Sequence, residues 1–317
     1  MRSELVNWLL APDNPSVRYF ALRDLLDRPA EAQEVISARS TIMRSAPVRA
    51  ILDSQYPAGC WIKPDRGYSP KYKATVWQLI FLVDLGATRT QSIARACEHV
   101  MTTALRADCG LFSAHKHSTG LFPCLNGDLL RALWHFGYRD HPVVRRVLES
   151  LAQCILVDGF LCVRNGTQPR TKSTWLPCTW GCVKVLRGFA AIPTEQRSLA
   201  VHQAVEQGVA YLLSRDLTRD QHPALVETRS HWLHFGFPLG YGSDLLEALL
   251  TLVELDVGLA SLRNAETLFR VILEKRDETG RWPLEHALRN TWADFGSEGK
   301  PNKWVTLRAT KVIGALA

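Results

Sequence analysis

The chain has 317 residues, of which 46% are hydrophobic and 22% are charged, an ordinary balance for a globular protein. Its formal charge of +7 comes from Lys and Arg residues that form no dense basic run, so we expect no nucleic-acid partner. No window approaches the ~20 apolar residues of a membrane span, and the cysteines, 8 in number, are too scattered for a disulfide scaffold.

The N-terminal segment lacks the long apolar region of a signal peptide, so the sequence predicts a cytoplasmic protein with reduced thiols. The basic balance also suits a phosphorylated substrate or peripheral contact with an anionic membrane surface. Gly and Pro do not cluster into a linker, and we therefore expect a single domain over 1–317. Nothing in the composition indicates an oligomeric state.

Helical patterns cover most of the chain. The first helix is expected after Asn14-Pro15, a capping residue followed by proline at the first helical position, and a second over about 30–44. Apolar segments with helical periodicity then begin at Lys71, Pro123, Pro177, Pro238 and Asn302. More polar helices with a single apolar stripe alternate with them and are predicted over 91–105, 142–154, 195–214 and 262–275.

A turn of glycine followed closely by an aromatic residue recurs along the chain. Its aromatic residues are Trp61, Phe112, Phe160 and Trp282. The apolar segments start about 50–65 residues apart, which fits one helical hairpin plus loops per repeat. The sequence therefore predicts an all-α fold, an (α/α)6 toroid in which apolar helices form a closed inner barrel and polar helices wrap around it.

The repeat turns carry a resemblance to a known superfamily. The segment from Gln55 to Trp61 matches the Gln-x-x-x-Gly-x-Trp motif of squalene–hopene and oxidosqualene cyclases, and 276–282 is a degenerate copy. The chain thus resembles a bacterial branch of the α/α toroid superfamily that contains the terpenoid cyclases, the protein prenyltransferases and the squalene-oxidase repeat. The resemblance implies an isoprenoid-handling enzyme, cyclase-like or prenyltransferase-like, with an apolar or isoprenoid substrate in the central cavity. The sequence has no Asp-Asp pair, so the Asp-rich motifs of those enzymes are absent in their usual form.

Candidate site residues lie at the starts of the apolar helices. In a toroid these N-termini point to one mouth, where their N–H groups favour anions. The acid candidates are Asp244 and Asp294, although the first is also placed as a helix cap and the second as a loop or salt-bridge residue. The substrate-binding candidates are Tyr72, Asn126, Asp128, Trp180, Trp232, Tyr241, Lys303 and Trp304.

A Pro-Cys pair starts two successive apolar helices. Cys124 and Cys178, with His115 or His117 upstream, would supply the ligands of a catalytic zinc site with an open fourth position. The alternatives are reduced cysteines that pack as small apolar residues and a nucleophilic thiol activated at a helix N-terminus. Zinc is therefore one interpretation among three.

The chemistry of the chain stays open at this level. Besides the isoprenoid-handling enzyme, the pattern fits a non-catalytic toroid that binds a peptide or partner protein, or a Cys/His zinc enzyme acting on a thiol or polar substrate. A fold of this kind does not determine which of them applies.

Overall fold

The computed structural model describes residues 3–115, 121–162, 176–219 and 231–316, and these residues are mostly α-helical, which confirms the all-α prediction. A short antiparallel strand pair, β1 (Leu161–Cys162) and β2 (Leu176–Pro177), accompanies the helices. The helices are α1 (Ser3–Leu9), α2 (Pro15–Asp24), α3 (Gln33–Ile42), α4 (Ala46–Asp53), α5 (Thr75–Asp84), α6 (Gln91–Thr103), α7 (Pro123–His135), α8 (Pro142–Asp158), α9 (Thr179–Ala190), α10 (Leu199–Leu213), α11 (Leu245–Glu254), α12 (Ala265–Glu274) and α13 (Lys303–Leu316).

Helix starts follow the local capping signals. The side chain of Asn14 accepts a hydrogen bond from Val17 N at 3.1 Å, as predicted for a cap before Pro15. Helices α7 and α8 begin at the prolines that predict them. Helices α5 and α11 begin later than predicted, because residues 71–74 and 238–243 form turns ahead of them. Helices α1 and α4 have only 7 and 8 residues, too few for a clear periodic pattern, and were not predicted.

Two kinds of helix are present. All residues of α5 are buried, and so is the run from Thr179 to Phe189 in α9. In α6 burial follows one face, at Ile93, Ala96, Cys97 and Val100, the spacing of an amphipathic helix. The division into apolar and half-exposed helices therefore agrees with the sequence pattern.

The buried helices pack on one another in sequence. Helix α5 packs on α7, α7 on α9, α9 on α11, α11 on α13, and α13 on α2. We call these six the central helices. Helices α3, α6, α8, α10 and α12 each pack on a central helix that precedes or follows them in the chain.

Helices α7 and α9 approach each other more closely than side chains would allow. A Cβ atom on Gly127 would lie 2.3 Å from Lys184 O, and one on Gly188 would lie 2.6 Å from Gly127 O. Both positions therefore require glycine, because any larger residue would collide with the backbone of the facing helix.

The repeated turns have the same hydrogen bonds at both ends of the chain. Trp61 N donates to Thr75 Oγ1 at 3.1 Å, and Trp282 N donates to Thr306 Oγ1 at 2.9 Å. Each indole Nε1 donates to the carbonyl of the residue 10 positions earlier, at 2.8 Å for Trp61 and 2.7 Å for Trp282. Each turn thus ties the end of a preceding helix to the start of a central helix.

None of the described helices combines the length and the apolar character needed to cross a membrane.

Candidate functional site

Aromatic rings from three separate segments meet beside the N-terminal ends of α5, α9 and α11. The rings of Tyr72 and Tyr241 are nearly parallel, with centroids 6.4 Å apart and an interplanar angle of 8°. The ring centroids of Trp180 and Tyr241 are 6.1 Å apart, and those of Trp77 and Tyr72 are 5.3 Å apart. We call Tyr72, Trp77, Trp180 and Tyr241 the aromatic cluster. It unites three of the residues predicted to bind substrate.

The backbone around Tyr72 is shaped for this packing. Tyr72 has a φ of 68°, in the left-handed region that costs free energy for a residue with a side chain. Its carbonyl accepts a hydrogen bond from Gln78 Nε2 at 2.9 Å. A Cβ atom at Gly240 would lie 2.4 Å from the Tyr72 ring, so glycine there leaves the space that the ring occupies.

A lysine covers one face of the cluster. The Nζ atom of Lys71 lies 3.6 Å from the centroid of the Tyr241 ring, a cation–π contact. Burial lowers the pKa of Lys71, and the nearby Cys124 thiol opposes that change. Burial raises the pKa of Tyr241, and Cys124 adds to this rise. Cys124 therefore lies close enough to Lys71 and Tyr241 to affect the ionisation of both.

Charged residues on the central helices form a buried network. Arg187 donates to Asp84 Oδ1 and to Glu247 Oε1, each at 2.7 Å. Arg131 also donates to Asp84 Oδ1, at 2.8 Å, and Lys184 Nζ donates to Glu247 Oε1 at 2.9 Å. Burial alone would raise the pKa of Asp84, but Arg187 and Arg131 hold it well below its usual value.

Asp128 joins this network by a single, longer contact. Its Oδ2 atom lies 3.8 Å from Lys184 Nζ, and its Oδ1 atom has no hydrogen-bond partner. Burial raises the pKa of Asp128 to about 7, because Lys184 offsets only part of the desolvation and Glu247 adds a like charge. The carboxyl group can therefore exchange a proton near neutral pH.

Other buried polar atoms without a partner belong to residues at or near the starts of α5 and α11. Gln78 Oε1 and Glu247 Oε2 are unpartnered, although the other polar atom of each side chain is hydrogen-bonded. Ser243 Oγ is also unpartnered, two residues after Tyr241 in the chain. Gln78, Asp128, Ser243 and Glu247 are each at most 3% exposed.

The two predicted acids have different surroundings. Asp244 is the cap of α11, with Oδ1 accepting from Glu247 N at 2.8 Å and Oδ2 from Gly236 N at 3.0 Å. Burial raises its pKa to about 6. Asp294 is exposed and accepts from Gly296 N at 2.9 Å within a turn. Both carboxylates are thus engaged by backbone N–H groups, the structural alternative left open for each.

Several other predicted binding residues have structural contacts. Asn126 bonds both the N–H and the carbonyl of Phe112, at 2.7 and 2.9 Å, and so fastens a repeat turn to α7. Trp232 is buried and donates to Leu217 O at 2.8 Å. These positions carry the polar and aromatic residues that suggested a site, but their side chains are used to hold the chain together.

Lys303 and Trp304 lie apart from the aromatic cluster. With Asp294 they border a cavity of about 370 Å³ at the start of α13. Trp304 stacks on Phe237 with centroids 4.1 Å apart. A larger groove of about 1270 Å³ lies among α1, α12 and the end of α13, and none of the predicted site residues lines it.

Aromatic side chains pack between the central helices at this end. Phe237 contacts Phe295 at 5.8 Å between centroids, and Phe295 contacts Phe81 of α5 at 5.9 Å. With the Trp304 stack on Phe237, these rings link α5 to α13.

The described part of the chain contains no group of ligands that matches the predicted zinc site. No set of three or more His, Cys, Asp or Glu residues there could hold a metal ion. Cys178 caps α9 by accepting from Gly181 N at 3.3 Å, and His115 packs edge-on against Tyr68 with centroids 5.9 Å apart. The described cysteines form no disulfide, and His117 lies outside the described residues.

The network residues Asp84, Lys184, Arg187 and Glu247 were not predicted as site residues. On the sequence each is a charge flanked by apolar residues within a helix segment, and the partners are 60 or more residues apart. The available signal was the charge itself, since isolated Lys, Arg, Asp and Glu in an apolar run are rarely buried without a partner.

A comparison with protein-family models finds no match for this chain, and a comparison with curated proteins finds none either.

Proposed function

We propose that the central helices close into a toroid. The support is the order of their contacts, in which α13 packs on α2 after α5, α7, α9 and α11 have packed in turn. The remaining junction lies between α2 and the end of α5. A Cβ atom on Gly86 would lie 3.1 Å from the Phe20 ring, so these two elements are in contact.

The activity that this geometry favours is that of an isoprenoid-handling enzyme of the cyclase-like kind, with its substrate at the aromatic cluster. The observations that carry the proposal are a set of aromatic rings at neighbouring helix starts and a buried carboxyl group, Asp128, one helical turn after the Cys124 thiol that affects Tyr241. Aromatic faces bind apolar chains and stabilise cations that develop on them. A carboxyl with a pKa near the working pH is suited to general-acid catalysis.

Asp128 is the acid in this proposal, in place of Asp244 and Asp294. Its Oδ1 atom is unpartnered, whereas both oxygens of Asp244 accept backbone N–H groups. Asp128 lies one helical turn after Cys124, which lies beside Lys71 and Tyr241. Its pKa of about 7 leaves a large protonated fraction at neutral pH.

The test is turnover in deuterated water. Acid-started cyclisation adds one proton to an alkene and later releases one from carbon, so a cyclised product made in D₂O contains deuterium. Purified protein is incubated with squalene, farnesyl diphosphate or geranylgeraniol, and products are identified by mass spectrometry. Asp128→Asn is expected to lower turnover by at least about 100-fold, while Asp294→Asn, at an exposed turn, serves as the matched control.

Three outcomes of this experiment would contradict the acid role of Asp128 or the isoprenoid proposal. A product without deuterium, together with released pyrophosphate, removes the acid role of Asp128, because the reaction then starts by loss of the diphosphate group; transfer of the prenyl group to an added thiol peptide would favour the prenyltransferase-like alternative. Full activity of Asp128→Asn contradicts the acid assignment directly. If none of the three compounds binds or reacts, the isoprenoid proposal is wrong.

The second candidate is a non-catalytic toroid that binds a peptide or partner protein. The packing of Phe81, Phe237 and Phe295 between the central helices favours it, because side chains there fill space that a buried substrate would need. Saturable binding of an isoprenoid without any product would separate a binding module from an enzyme.

A further inference from the structure

The groove of about 1270 Å³ lies at the other end of α11 from the aromatic cluster. Tyr241 of the cluster precedes α11, whereas Val253 in the last turn of the helix lines the groove. The 10 residues of α11 span about 15 Å, so the groove and the aromatic cluster are separate surfaces.

Much of the groove wall is apolar. Its large apolar side chains come from five helices and one repeat turn and are Leu5, Leu25, Val253, Leu273, Trp282 and Ile313. Four of these six are only half-buried, so they keep apolar surface towards solvent. Gly314 also lines the groove, and a Cβ atom there would meet no atom beyond its neighbouring residues within 4 Å. The space in front of Gly314 is therefore open.

Acidic residues outnumber basic ones along the same wall. The charged lining residues are Asp24, Glu274, Arg276, Asp277, Glu278 and Lys311, four acids and two bases. The wall therefore carries an excess of two negative charges, on a chain whose formal charge is +7.

The neighbouring cations leave most of this charge available. Within the wall, Lys311 pairs with Asp24 at 3.1 Å. Outside it, Arg270 lies 4.0 Å from Glu274, but both side chains are 68% exposed, so water weakens the pair. The guanidinium of Arg281 lies over the Trp8 ring, 4.5 Å from its centroid.

Three helices also end at the groove. Asp24 is the last residue of α2, Glu274 is the last residue of α12, and Val253 lies in the last turn of α11. The carbonyl groups at a helix C-terminus carry partial negative charge and favour cations. The helix ends therefore add to the charge of the acidic side chains.

These properties restrict the class of occupant. Most small-molecule pockets have roughly 300–1,000 Å³, so this groove is large enough for a segment of polypeptide. An anionic lipid or a diphosphate would meet like charge. A segment with one apolar face and Lys or Arg beside it matches both the apolar wall and the acids, as amphipathic helices do in grooves.

We propose that this groove binds a basic amphipathic segment of a partner protein. Its apolar face packs on the wall, and its Lys or Arg side chains lie beside Glu274, Asp277 and Glu278. The interaction uses a surface other than the aromatic cluster, so it goes beyond the proposed function and does not depend on it.

The test compares three labelled helical peptides of equal length by fluorescence anisotropy with the full chain. The first consists of Leu and Lys, the second has Glu in place of each Lys, and the third has Ser in place of each Leu. The Leu/Lys peptide is expected to bind at least about tenfold more tightly than either of the others. Because the whole chain is positively charged, its overall field favours the Leu/Glu peptide, and a preference for Lys has to come from a local acidic surface.

A glycine substitution places the binding in the groove. Gly314→Leu puts a side chain into the open space and suits a helix better than glycine does, so the fold is expected to be retained. Affinity for the Leu/Lys peptide is expected to fall about tenfold or more, because the new side chain clashes with the occupant. Gly258→Leu is the matched control, since a Cβ atom there is equally free of contacts and Gly258 does not line the groove. Circular dichroism checks both folds.

A charge reversal tests the acidic wall. Glu274→Lys, at an exposed position, is expected to weaken the Leu/Lys peptide about threefold or more and to strengthen the Leu/Glu peptide. Asp294→Lys is the control, an exposed acid that does not line this groove.

Several results would overturn the proposal. Equal or tighter binding of the Leu/Glu peptide removes the role of the acids, and equal binding of the Ser/Lys peptide removes that of the apolar wall. Unchanged affinity in folded Gly314→Leu places the binding elsewhere, and binding of none of the peptides excludes the interaction. A dimer in sedimentation that Gly314→Leu dissociates would make a second copy of the chain the occupant. None of these results changes the expected turnover of isoprenoids, and loss of that turnover in Asp128→Asn leaves peptide binding unaffected.

Discussion

Asp84 and Asp128 lie on the neighbouring central helices α5 and α7 and are both buried, yet their carboxyl groups have opposite ionisation behaviour. Asp84 accepts from Arg131 and Arg187, and its pKa is well below the usual value. Asp128 has Lys184 at 3.8 Å without a hydrogen bond, and its pKa is about 7. Burial is common to both, so the number and distance of the cations decide which carboxyl stays charged.

The comparison also divides the core by role. Asp84 Oδ1 accepts hydrogen bonds from arginines on α7 and α9 and so holds three helices together. Asp128 keeps one oxygen unpartnered. A buried charge that is paired on two sides contributes to the structure, and a buried acid that is paired on one side remains available for proton exchange or ligand binding.

Removing Arg187 takes away one of the two cations that keep Asp84 charged, and it should have the largest effect on stability. Arg187→Met leaves Asp84 and Glu247 with fewer cations in the core, and we expect a loss of about 3–5 kcal/mol in the free energy of unfolding. Urea unfolding followed by circular dichroism measures it. Arg131→Met is the matched control; its side chain is 18% exposed and contacts Asp84 alone among the network carboxylates, so a smaller loss is expected. Equal losses in the two variants would show that Arg187 has no special role in the network.

The pH dependence of stability tests whether the pKa of Asp128 is raised in the folded protein. Its pKa is raised from 3.8 to about 7 on folding, so the folded state binds the proton more tightly. The stabilising contribution is complete below the unfolded pKa and is lost as the pH rises through the folded pKa. Between pH 5 and pH 8 we expect wild-type protein to lose about 2–3 kcal/mol relative to Asp128→Asn.

Urea unfolding of both proteins at the two pH values gives this difference, and Asp294→Asn shows the background from an exposed carboxyl. A difference that stays constant with pH would mean that Asp128 has an ordinary pKa in the folded protein.

Asp244 is a third buried carboxyl group, and its substitution should have the smallest effect of the three on the free energy of unfolding. It is buried like the other two, but backbone N–H groups replace side-chain cations as its hydrogen-bond donors. Asp244→Ala removes the cap of α11 and is expected to cost about 1–2 kcal/mol in urea unfolding. Asp294→Ala should stay within about 0.5 kcal/mol of wild type. A loss in Asp244→Ala as small as this would assign Asp244 a role other than capping.

Local signals in the sequence predicted the helices well. Prolines marked the starts of α7 and α8, and Asn14 marked the start of α2. The starts of α5 and α11 were placed too early because the φ of Tyr72 and the turn at Gly240 depend on each other through a contact between distant segments. Only the folded backbone creates that contact, so a periodic pattern cannot anticipate it.

The site was predicted in part. Tyr72, Trp180 and Tyr241 do come together: Trp180 lies in the first turn of α9, and Tyr72 and Tyr241 lie in the turns that precede α5 and α11. Asp128 was named, but as a binding residue, and its partner Lys184 was not named. Charge pairing across helices depends on which side chains face each other, and this is a property of packing that residue spacing along one helix does not contain.

The glycine contact between α7 and α9 has a consequence for how this protein can change. With Gly127 and Gly188 backbone to backbone, the offset between the two helices is set by main-chain atoms, and Asp128 and Lys184 inherit their separation from it. A methyl group at either glycine would part the helices and loosen every ionic contact between them. Two residues that carry no charge, Gly127 and Gly188, therefore control the ionic contact between the helices. We expect a substitution at either position to change the ionisation of Asp128 before it changes the fold.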